Sequence, residues 1–228
     1  MNIIIVGVGG IGSHLLFPLL QYLKGESFYD NIILVDGDEY EERNKDRQVV
    51  TGISMNKAKA TVGYYKDMGM RLDYKTDFIN EKNIGDIIHE DDIVFSCVDN
   101  NATRKVIDNY LPNLSNITLI SGGNDTNDGN AQIVMRTNGR YLTKTLCEQH
   151  PEISNPEDKS PEDLSCEELS RAGVTQISIV NAGISDIMRR MFFGIINDGI
   201  NYNETFVNFK NGNIRNTKCD NNLKLDVL

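Results

Sequence analysis

The apolar residues of the first 122 positions occur in short continuous runs that alternate with stretches of helical spacing. Short apolar runs bounded by glycine or polar residues are typical of buried strands, and apolar residues three and four positions apart are typical of helices. The pattern predicts strands at residues 3–6, 31–36, 71–78, 92–98 and 117–122, and helices at residues 11–24, 55–68, 80–89 and 101–111. Strands that alternate with helices predict a parallel sheet with helices on both faces.

The pattern changes after residue 122, where the regular alternation of strands and helices ends. The Asn211-Gly212 dipeptide favours a hairpin with a two-residue type I′ turn. In the first helix, Pro18 removes one hydrogen bond and predicts a kink or an early end. We expect a single α/β domain whose C-terminal half appends antiparallel strands to the parallel sheet. That half is predicted to contain short strands at 131–135 and 141–143, a proline- and acid-rich crossover loop at 148–164, a buried helix at 177–193 and the hairpin at 205–216.

Four glycines separate the first predicted strand from the first predicted helix: Gly7, Gly9, Gly10 and Gly12. A buried strand, a glycine-rich turn and a helix N-terminus together form an anion site, because the glycines let the backbone approach a phosphate. Asp36 ends the second strand, where a carboxylate can accept hydrogen bonds from a ribose. We therefore expect a twisted, Rossmann-like sheet, with residues 1–122 as its nucleotide-binding half and residues 123–228 as the remainder of the domain. These features fit ATP or NAD, so an NAD-dependent oxidoreductase is one alternative.

The composition of the chain argues against nucleic acid, a membrane and structural zinc as partners. The 228-residue chain carries a formal net charge of −10, which argues against a nucleic-acid partner because phosphate binding needs clustered lysines and arginines. No segment approaches the roughly 20 apolar residues that span a membrane, so no membrane partner is expected. The four cysteines are scattered without a CxxC pair, which favours a reducing cytoplasm. Cys147 and His150 lie three positions apart, but structural zinc takes about four ligands and is not expected here.

Four motifs follow one another along the first half of the chain: GxGGxGS at residues 7–13, DxDxxExxNxxRQ at 36–48, the Lys57-Ala58 pair, and DNNATR at 99–104. Together they resemble the ThiF/MoeB family of adenylyltransferases, whose fold the ubiquitin-activating enzymes share. The match covers residues 1–122, in the family's order. The second half more loosely resembles the small ThiF-like proteins of plasmids and phages, through CEQHPEI, SCEEL and the apolar helix that begins near Ser178.

The resemblance implies an activity. Family members use ATP and Mg²⁺ to adenylate the C-terminal carboxylate of a small ubiquitin-like or sulfur-carrier protein that ends in Gly-Gly. The resemblance and the long apolar helix together suggest a homodimer. In the family a cysteine of the crossover region can then attack the adenylate to form a thioester, and Cys166 is the candidate for that nucleophile. The sequence leaves open whether Cys166 is catalytic or only structural.

The resemblance also implies which residues form the site. Arg47 and Lys57 are implied to contact the triphosphate, and Asp99 to hold the magnesium ion. Such groups suit the reaction, because a carboxylate that attacks a phosphate meets another anion and positive charge must offset the repulsion. Arg104 is the last residue of the fourth motif, and a role in packing its own helix would account for its presence there. The remaining cofactor-binding positions are the four glycines with Asp36, Asp38, Asn44 and Asn100.

Two departures from the family pattern leave alternatives open. The family's glycine before the lysine is Ser54 here, so Lys59 is a possible substitute for Lys57. Many members also carry an arginine on a helix that precedes the first strand, and the chain begins directly at the strand. The missing arginine favours a non-catalytic, nucleotide-binding scaffold, whereas the intact Arg47, Lys57 and Asp99 favour an enzyme.

Overall fold

A computed structural model describes residues 1–46, 48–158 and 178–225 of the protein. These residues form one nine-stranded mixed sheet. Strands β1 to β5 are mutually parallel, in the spatial order β3-β2-β1-β4-β5. Their bounds are β1 Asn2–Val6, β2 Asn31–Val35, β3 Leu72–Lys75, β4 Ile93–Ser96 and β5 Ile117–Asn124.

The C-terminal half extends the same sheet with antiparallel strands. β6 pairs with β5, β8 pairs with β6, β9 pairs with β8, and the short β7 pairs with the other end of β6. The predicted strand at 131–135 is therefore longer than expected, and the one at 141–143 is shorter and begins earlier. Their bounds are β6 Asp128–Thr137, β7 Arg140–Tyr141, β8 Ile200–Asn208 and β9 Asn213–Leu223.

Helices cover both faces of the sheet. Successive side chains of a strand point to opposite faces, so Ile3 and Ile5 join the core beneath α1, α2 and α6, whereas Ile4 and Val6 join the core beneath α3, α4 and α5. No helix in the described ranges has the length and apolar content needed to cross a membrane. The bounds are α1 Gly10–Leu23, α2 Lys57–Tyr65, α3 Asn101–Tyr110, α4 Leu146–Gln149, α5 Pro151–Ser154 and α6 Ser178–Ile196.

The predicted helix at 80–89 is wrong. Only a single 3₁₀ turn forms there, at Ile84–Asp86. Two asparagine side chains take up the backbone N–H groups instead: Asn83 Oδ1 accepts from the Asn80 N–H at 2.8 Å, and Asn80 Oδ1 accepts from the Lys82 N–H at 2.9 Å. Local bonds of this kind compete with a helix for the same backbone groups.

The predicted type I′ turn is also wrong. Residues 209–212 form a four-residue loop between β8 and β9, closed by a 2.9 Å bond from the Gly212 N–H to the Asn208 carbonyl. Gly212 has a φ of 73°, but Asn211 does not share the positive φ that a type I′ turn requires. The Asn208 side chain decides the outcome, because its Oδ1 accepts from the N–H groups of both Lys210 and Asn211, at 3.1 Å each.

The crossover segment is partly helical. The loop predicted at 148–164 contains the end of α4 and all of α5, and its residues 159–164 lie outside the described residues. Asp108 of α3 organises this region, because its carboxylate accepts the backbone N–H groups of Leu146 and Cys147 at 2.9 and 3.0 Å. The buried helix predicted at 177–193 is confirmed from Ser178 onward and continues to Ile196.

Helix α1 continues through Pro18 without a break. Proline has no N–H, so the carbonyl four residues earlier, that of His14, loses its helical partner. The Arg189 guanidinium of α6 supplies a replacement, donating from Nη1 to the His14 oxygen at 3.0 Å. The early end predicted at Pro18 is therefore wrong, since a distant side chain satisfies the carbonyl that the proline leaves unpaired.

Arg189→Met should lower the free energy of unfolding by about 1.5–3 kcal/mol, the usual range for a hydrogen bond that involves a charged group. In a Pro18→Ala background the same change should cost about 1 kcal/mol less, because alanine at this position restores a backbone donor to the His14 carbonyl. Chemical denaturation of the four proteins gives the coupling directly. Arg190→Met is the matched control, since Arg190 shares Asp186 as a partner but is exposed. If Arg189→Met lowered the free energy of unfolding equally in both backgrounds, Arg189 would not be replacing the hydrogen bond that Pro18 removes.

Candidate nucleotide site

The glycine loop lies at the C-terminal end of β1, where the sheet order places β1 between β2 and β4. In such sheets, ligands bind at the point where the chain changes direction across the sheet. Two glycines make the loop possible: Gly7 has a φ of 89°, and a Cβ on Gly12 would lie 2.0 Å from the Gly7 oxygen. Helix α1 then starts with no side-chain cap at Gly9. Its first N–H groups are therefore available to an anion.

Two residues lie beside the inner glycines, Gly9 and Gly10. A Cβ on Gly10 would lie 2.5 Å from Nδ2 of Asn181 on α6, whereas a Cβ on Gly9 would meet only Nε2 of Gln48, at 3.9 Å. Gln48 is part of the second motif but was not predicted as a site residue. Its Oε1 is buried and has no hydrogen-bond partner among the described residues. Asn181 was also missed, because nothing in the sequence relates α6 to the glycine loop.

Asp36 holds the glycine loop in place. Its Oδ2 accepts the Val8 N–H at 2.6 Å, and its Oδ1 accepts the Asp38 N–H at 2.9 Å. The side chain is buried, with a residue exposure of 8%. Burial raises the pKa of Asp36 to about 6, against the opposing effect of the Lys57 charge. Both carboxylate oxygens therefore already accept backbone hydrogen bonds at the position predicted to contact ribose.

Lys57 is the cation of the site. It begins α2, and its Nζ lies 2.9 Å from Asp38 Oδ2. Its side chain is 9% exposed, whereas that of Asp38 is 48% exposed. Burial lowers the pKa of Lys57, but the carboxylates of Asp36 and Asp38 together outweigh burial and raise it above the ordinary value. The ammonium group therefore stays charged. Lys59, the alternative raised by the sequence, is exposed.

The segment before Lys57 explains why Ser54 can replace a glycine. Ser54 has a φ of 58°, in the left-handed region that a glycine adopts without strain. Its N–H donates to the Tyr40 carbonyl at 2.8 Å. Asn56 then fixes the start of α2, donating from Nδ2 to the Asp36 carbonyl at 2.7 Å and accepting from the Lys59 N–H at 3.0 Å. Asn56 therefore positions Lys57, a role that the sequence did not reveal.

Asn44 belongs to the 3₁₀ turn Glu42–Asp46, and its residue exposure is 4%. Its Oδ1 accepts the Glu41 N–H at 2.8 Å, and its own carbonyl accepts the Gln48 N–H at 2.9 Å. The asparagine therefore shapes the segment that carries the second motif. Arg47 itself lies outside the described residues, as does Cys166.

Asp99 and Asn100 follow β4 at the same sheet edge. Asp99 is exposed. Its charge adds to those of Asp36 and Asp38 in raising the pKa of Lys57, whereas burial lowers the pKa of Arg104 against the opposing charge of Asp99. The Oδ1 of Asn100 accepts the Thr103 N–H at 2.8 Å and so caps α3. Within the described ranges, no group of three or more His, Cys, Asp or Glu residues is arranged to hold a metal. Mg²⁺ often takes only one or two protein carboxylates together with substrate phosphates, and a single exposed carboxylate fits that arrangement.

A cavity of about 660 Å³ opens beside the glycine loop, over β5, β6 and β8. Its wall includes His150, a residue that the sequence analysis considered only for zinc. The His150 Nε2 lies 2.6 Å from Glu204 Oε1, and its Nδ1 lies 3.0 Å from Glu152 Oε1. The hydrogen bond to Glu204 is the main reason that the pKa of His150 is raised above its usual value. The imidazole is therefore held between two carboxylates, and Glu204 was not found from the sequence.

The raised pKa of Asp36 predicts a pH-dependent stability. Between the unfolded value of about 3.9 and the folded value of about 6, the folded state binds more protons. The free energy of unfolding should therefore fall as pH rises through that window and level off above it. Asp36→Asn should remove this slope. Denaturation of both proteins between about pH 7 and pH 4 measures the difference, and parallel curves would count against the buried carboxylate.

Known proteins with similar sequences match about 60% of this chain. The adenylyltransferase and sulfurtransferase UBA4 of Meyerozyma guilliermondii is 29% identical over 141 residues, which are 60% of this chain and 32% of that protein. The adenylyltransferase and sulfurtransferase MOCS3 of Drosophila ananassae is 29% identical over 143 residues, 60% of this chain and 30% of that protein. The chain thus spans about a third of the length of these relatives.

Solved structures match over nearly the whole chain. The crystal structure of E. coli MccB with ATP superposes with a TM-score of 0.68 at 16% identity, covering 99% of this chain and 65% of that one. The structure of PaaA gives a TM-score of 0.64 at 16% identity, covering 98% and 64%. These matches confirm the predicted α/β fold with its mainly parallel sheet and appended antiparallel strands. Since the ThiF family model also matches residues 1–222, the chain belongs to the ThiF family, as its motifs predicted.

Proposed function

We propose that the protein is an adenylyltransferase that uses ATP to activate the C-terminal carboxylate of a small ubiquitin-like or sulfur-carrier protein. The observation that carries this proposal is Lys57, a charged and nearly buried ammonium group beside an uncapped glycine loop. Membership of the ThiF family and relatives named adenylyltransferases support the same activity. Hydride transfer to NAD requires no such cation, so the oxidoreductase alternative is the weaker one.

The glycine loop and Lys57 suit a triphosphate. The loop brings backbone close to backbone at Gly7 and Gly12, which leaves no room for a side chain there. Helix N–H groups and a lysine ammonium are the groups that bind phosphate in many nucleotide sites. Magnesium, when bound, would neutralise phosphate charge, and Asp99 is the residue proposed to hold it. Asp38, whose side chain is 48% exposed, is the acid proposed to contact a ribose.

The proposed chemistry is a displacement at phosphorus. A carboxylate oxygen of the acceptor bonds to the α-phosphate, the bond to the bridging oxygen breaks, and pyrophosphate leaves. Both reactants are anions, so fixed positive charge is required to bring them together and to stabilise the charge that develops. Lys57 supplies such a charge, and Arg47 is proposed to supply another. The acceptor tail would approach through the cavity over β5, β6 and β8.

Other parts of the proposal are expectations from the family alone. These are a tail ending in Gly-Gly, a homodimer, a cytoplasmic location, and a thioester on Cys166. The competing function is a nucleotide-binding scaffold without catalysis. Binding of ATP would agree with either function, whereas turnover of ATP with an acceptor would agree only with the enzyme. The two experiments below separate these steps.

ATP with magnesium should raise the melting temperature, whereas NAD should not. A ligand that binds only the folded state adds about 2.7 kcal/mol to the free energy of unfolding at a hundred times its Kd. The measurement is a melting curve with each nucleotide at matched concentration. Lys57→Met should reduce the ATP shift, and the exposed Lys59→Met serves as its control. A shift with NAD and none with ATP would reject the proposed nucleotide.

Asp99→Asn should lower acceptor-dependent ATP–pyrophosphate exchange by about a hundredfold, because it removes the charge proposed to hold magnesium. The fold should survive, since Asp99 is exposed at a strand end. Exchange is measured with co-purified small proteins ending in Gly-Gly, alongside a melting curve. Asp67→Asn, at an exposed carboxylate outside the site, controls for the loss of one charge. Near-normal exchange by folded Asp99→Asn protein would refute the magnesium assignment.

A further inference from the structure

Arg104 is a cation whose hydrogen-bond partners are all neutral. Its guanidinium donates to the carbonyls of Val98 and Gly122, at 2.8 and 3.1 Å, and to Asn101 Oδ1 at 2.9 Å. An arginine has five N–H groups, so two remain unused, and one of these is the buried Nε. Among the described residues, none of these partners is a carboxylate. Three neutral acceptors do not compensate a charge held partly out of water, and such a charge favours a counter-ion.

Gln132 contributes a buried side-chain amide without a hydrogen-bond partner on its nitrogen to the cavity that Arg104 lines. It lies on β6, directly opposite Ser121 of β5 and Glu204 of β8. Its residue exposure is 2%, and its Nε2 has no partner among the described residues. Buried side-chain amides are rarely left unbonded, so this one needs an explanation. Arg104 and Gln132 both line the cavity beside the glycine loop.

The carboxylates nearest to Gln132 are already engaged. Glu204 accepts from Asn130 Nδ2 at 2.8 Å and lies 2.6 Å from His150 Nε2, while Glu152 pairs with the other ring nitrogen of His150. Both carboxylates therefore already have His150 as a partner within the cavity wall. The carboxylates of Asp99, Asp158 and Glu152 act on the Arg104 charge, but among the described residues none of them accepts a hydrogen bond from it. A carboxylate that bonds directly to the guanidinium is therefore a suitable ligand for this part of the cavity.

The cavity and the glycine loop lie close together. Asn124 lines the cavity, and its Nδ2 donates at 2.9 Å to Oδ1 of Asn181, the residue that packs against Gly10. On the other side, Arg104 binds the Val98 carbonyl, one residue after the Cys97 carbonyl that abuts Gly7. A carboxylate held by Arg104 would therefore lie next to the phosphate site and not at a remote surface.

We propose that Arg104 and Gln132 form a carboxylate subsite that anchors the C-terminal carboxylate of the acceptor beside the glycine loop. The inference rests on the proposed adenylation, and it makes both side chains binding residues for the acceptor. The subsite binds the carboxylate in the absence of nucleotide. It therefore discriminates between a peptide acid and the corresponding amide before any chemistry occurs.

The probes are a hexapeptide ending in Gly-Gly as the free acid, its C-terminal amide, and an amidated hexapeptide with an aspartate at the last position. Binding is measured by calorimetry without ATP. The acid should bind the wild-type protein at least about tenfold more tightly than the amide, as expected for a charge-assisted hydrogen bond. Gln132→Met and Arg104→Met should each reduce that ratio severalfold, whereas Arg215→Met, which changes a cation over Phe206 at the cavity rim, should keep it.

Several results would overturn the subsite. These are an acid-to-amide ratio retained by Gln132→Met and Arg104→Met, no binding of the acid at millimolar concentration, or tighter binding of the aspartate amide than of the acid. If Arg104→Met does not fold, Arg104→Lys and Gln132→Met carry the test, since Gln132→Met removes an amide whose Nε2 has no partner among the described residues. Exchange assays on the same proteins separate the two ideas. Wild-type exchange with an unchanged ratio in the variants rejects the subsite alone, whereas absent exchange rejects adenylation.

Discussion

The hydrogen bond from the Val8 N–H to the Asp36 carboxylate is the contact on which the site depends. It is 2.6 Å long and joins the glycine loop after β1 to the end of β2. The same carboxylate is the largest favourable charge acting on Lys57, so one buried group fixes both the loop and the charge state of the lysine. The cost is that Asp36 itself is difficult to ionise, as its raised pKa indicates. Lys57 offsets part of that cost, and each residue therefore keeps the other charged.

Positively charged side chains at this edge of the sheet are also held by fixed hydrogen-bond or ion-pair partners. The chain is strongly acidic, with a net charge of −10, yet the cations near the glycine loop and the cavity are individually placed by carboxylates or carbonyls. Asp38 holds Lys57, and the carbonyls of Val98 and Gly122 hold Arg104. Buried charges persist in proteins only when they are paired or hydrogen bonded. An acidic protein can in this way present local positive charge to anionic substrates.

The sequence was sufficient for strands β1, β2, β4 and β5 because each is a continuous apolar run between polar segments. Strand β3 was found from the alternation of residues 71–78. The sequence failed where a side chain outcompeted the local pattern. Asn80 and Asn83 replaced a predicted helix, and Asn208 replaced a predicted two-residue turn. Such asparagines occur in any polar segment, so only the three-dimensional placement of their acceptors reveals the outcome.

Among the residues of the candidate site, those in local motifs were likewise predictable from the sequence, whereas those brought in by long-range packing were not. Lys57, Asp36 and Asn44 were predicted from motif spacing; all three are buried, and the charges of Lys57 and Asp36 lie close enough to interact. Asn181, Gln132 and Glu204 were missed because they come from elements that are distant in sequence and meet only through the packing of α6 and the antiparallel strands. Their polarity alone could not distinguish them from surface residues.

The Arg189 contact with the His14 carbonyl bears on how the chain reaches its native state. The two residues are 175 positions apart, so the His14 carbonyl of α1 acquires this partner only when α6 has docked. Contacts of such long range are slow to form, since a large loop must close first. During synthesis, the glycine loop and α1 would leave the ribosome long before α6. The N-terminal half is then expected to remain incompletely ordered until α6 arrives, which delays formation of a competent phosphate site until residues 178–196 have been synthesised.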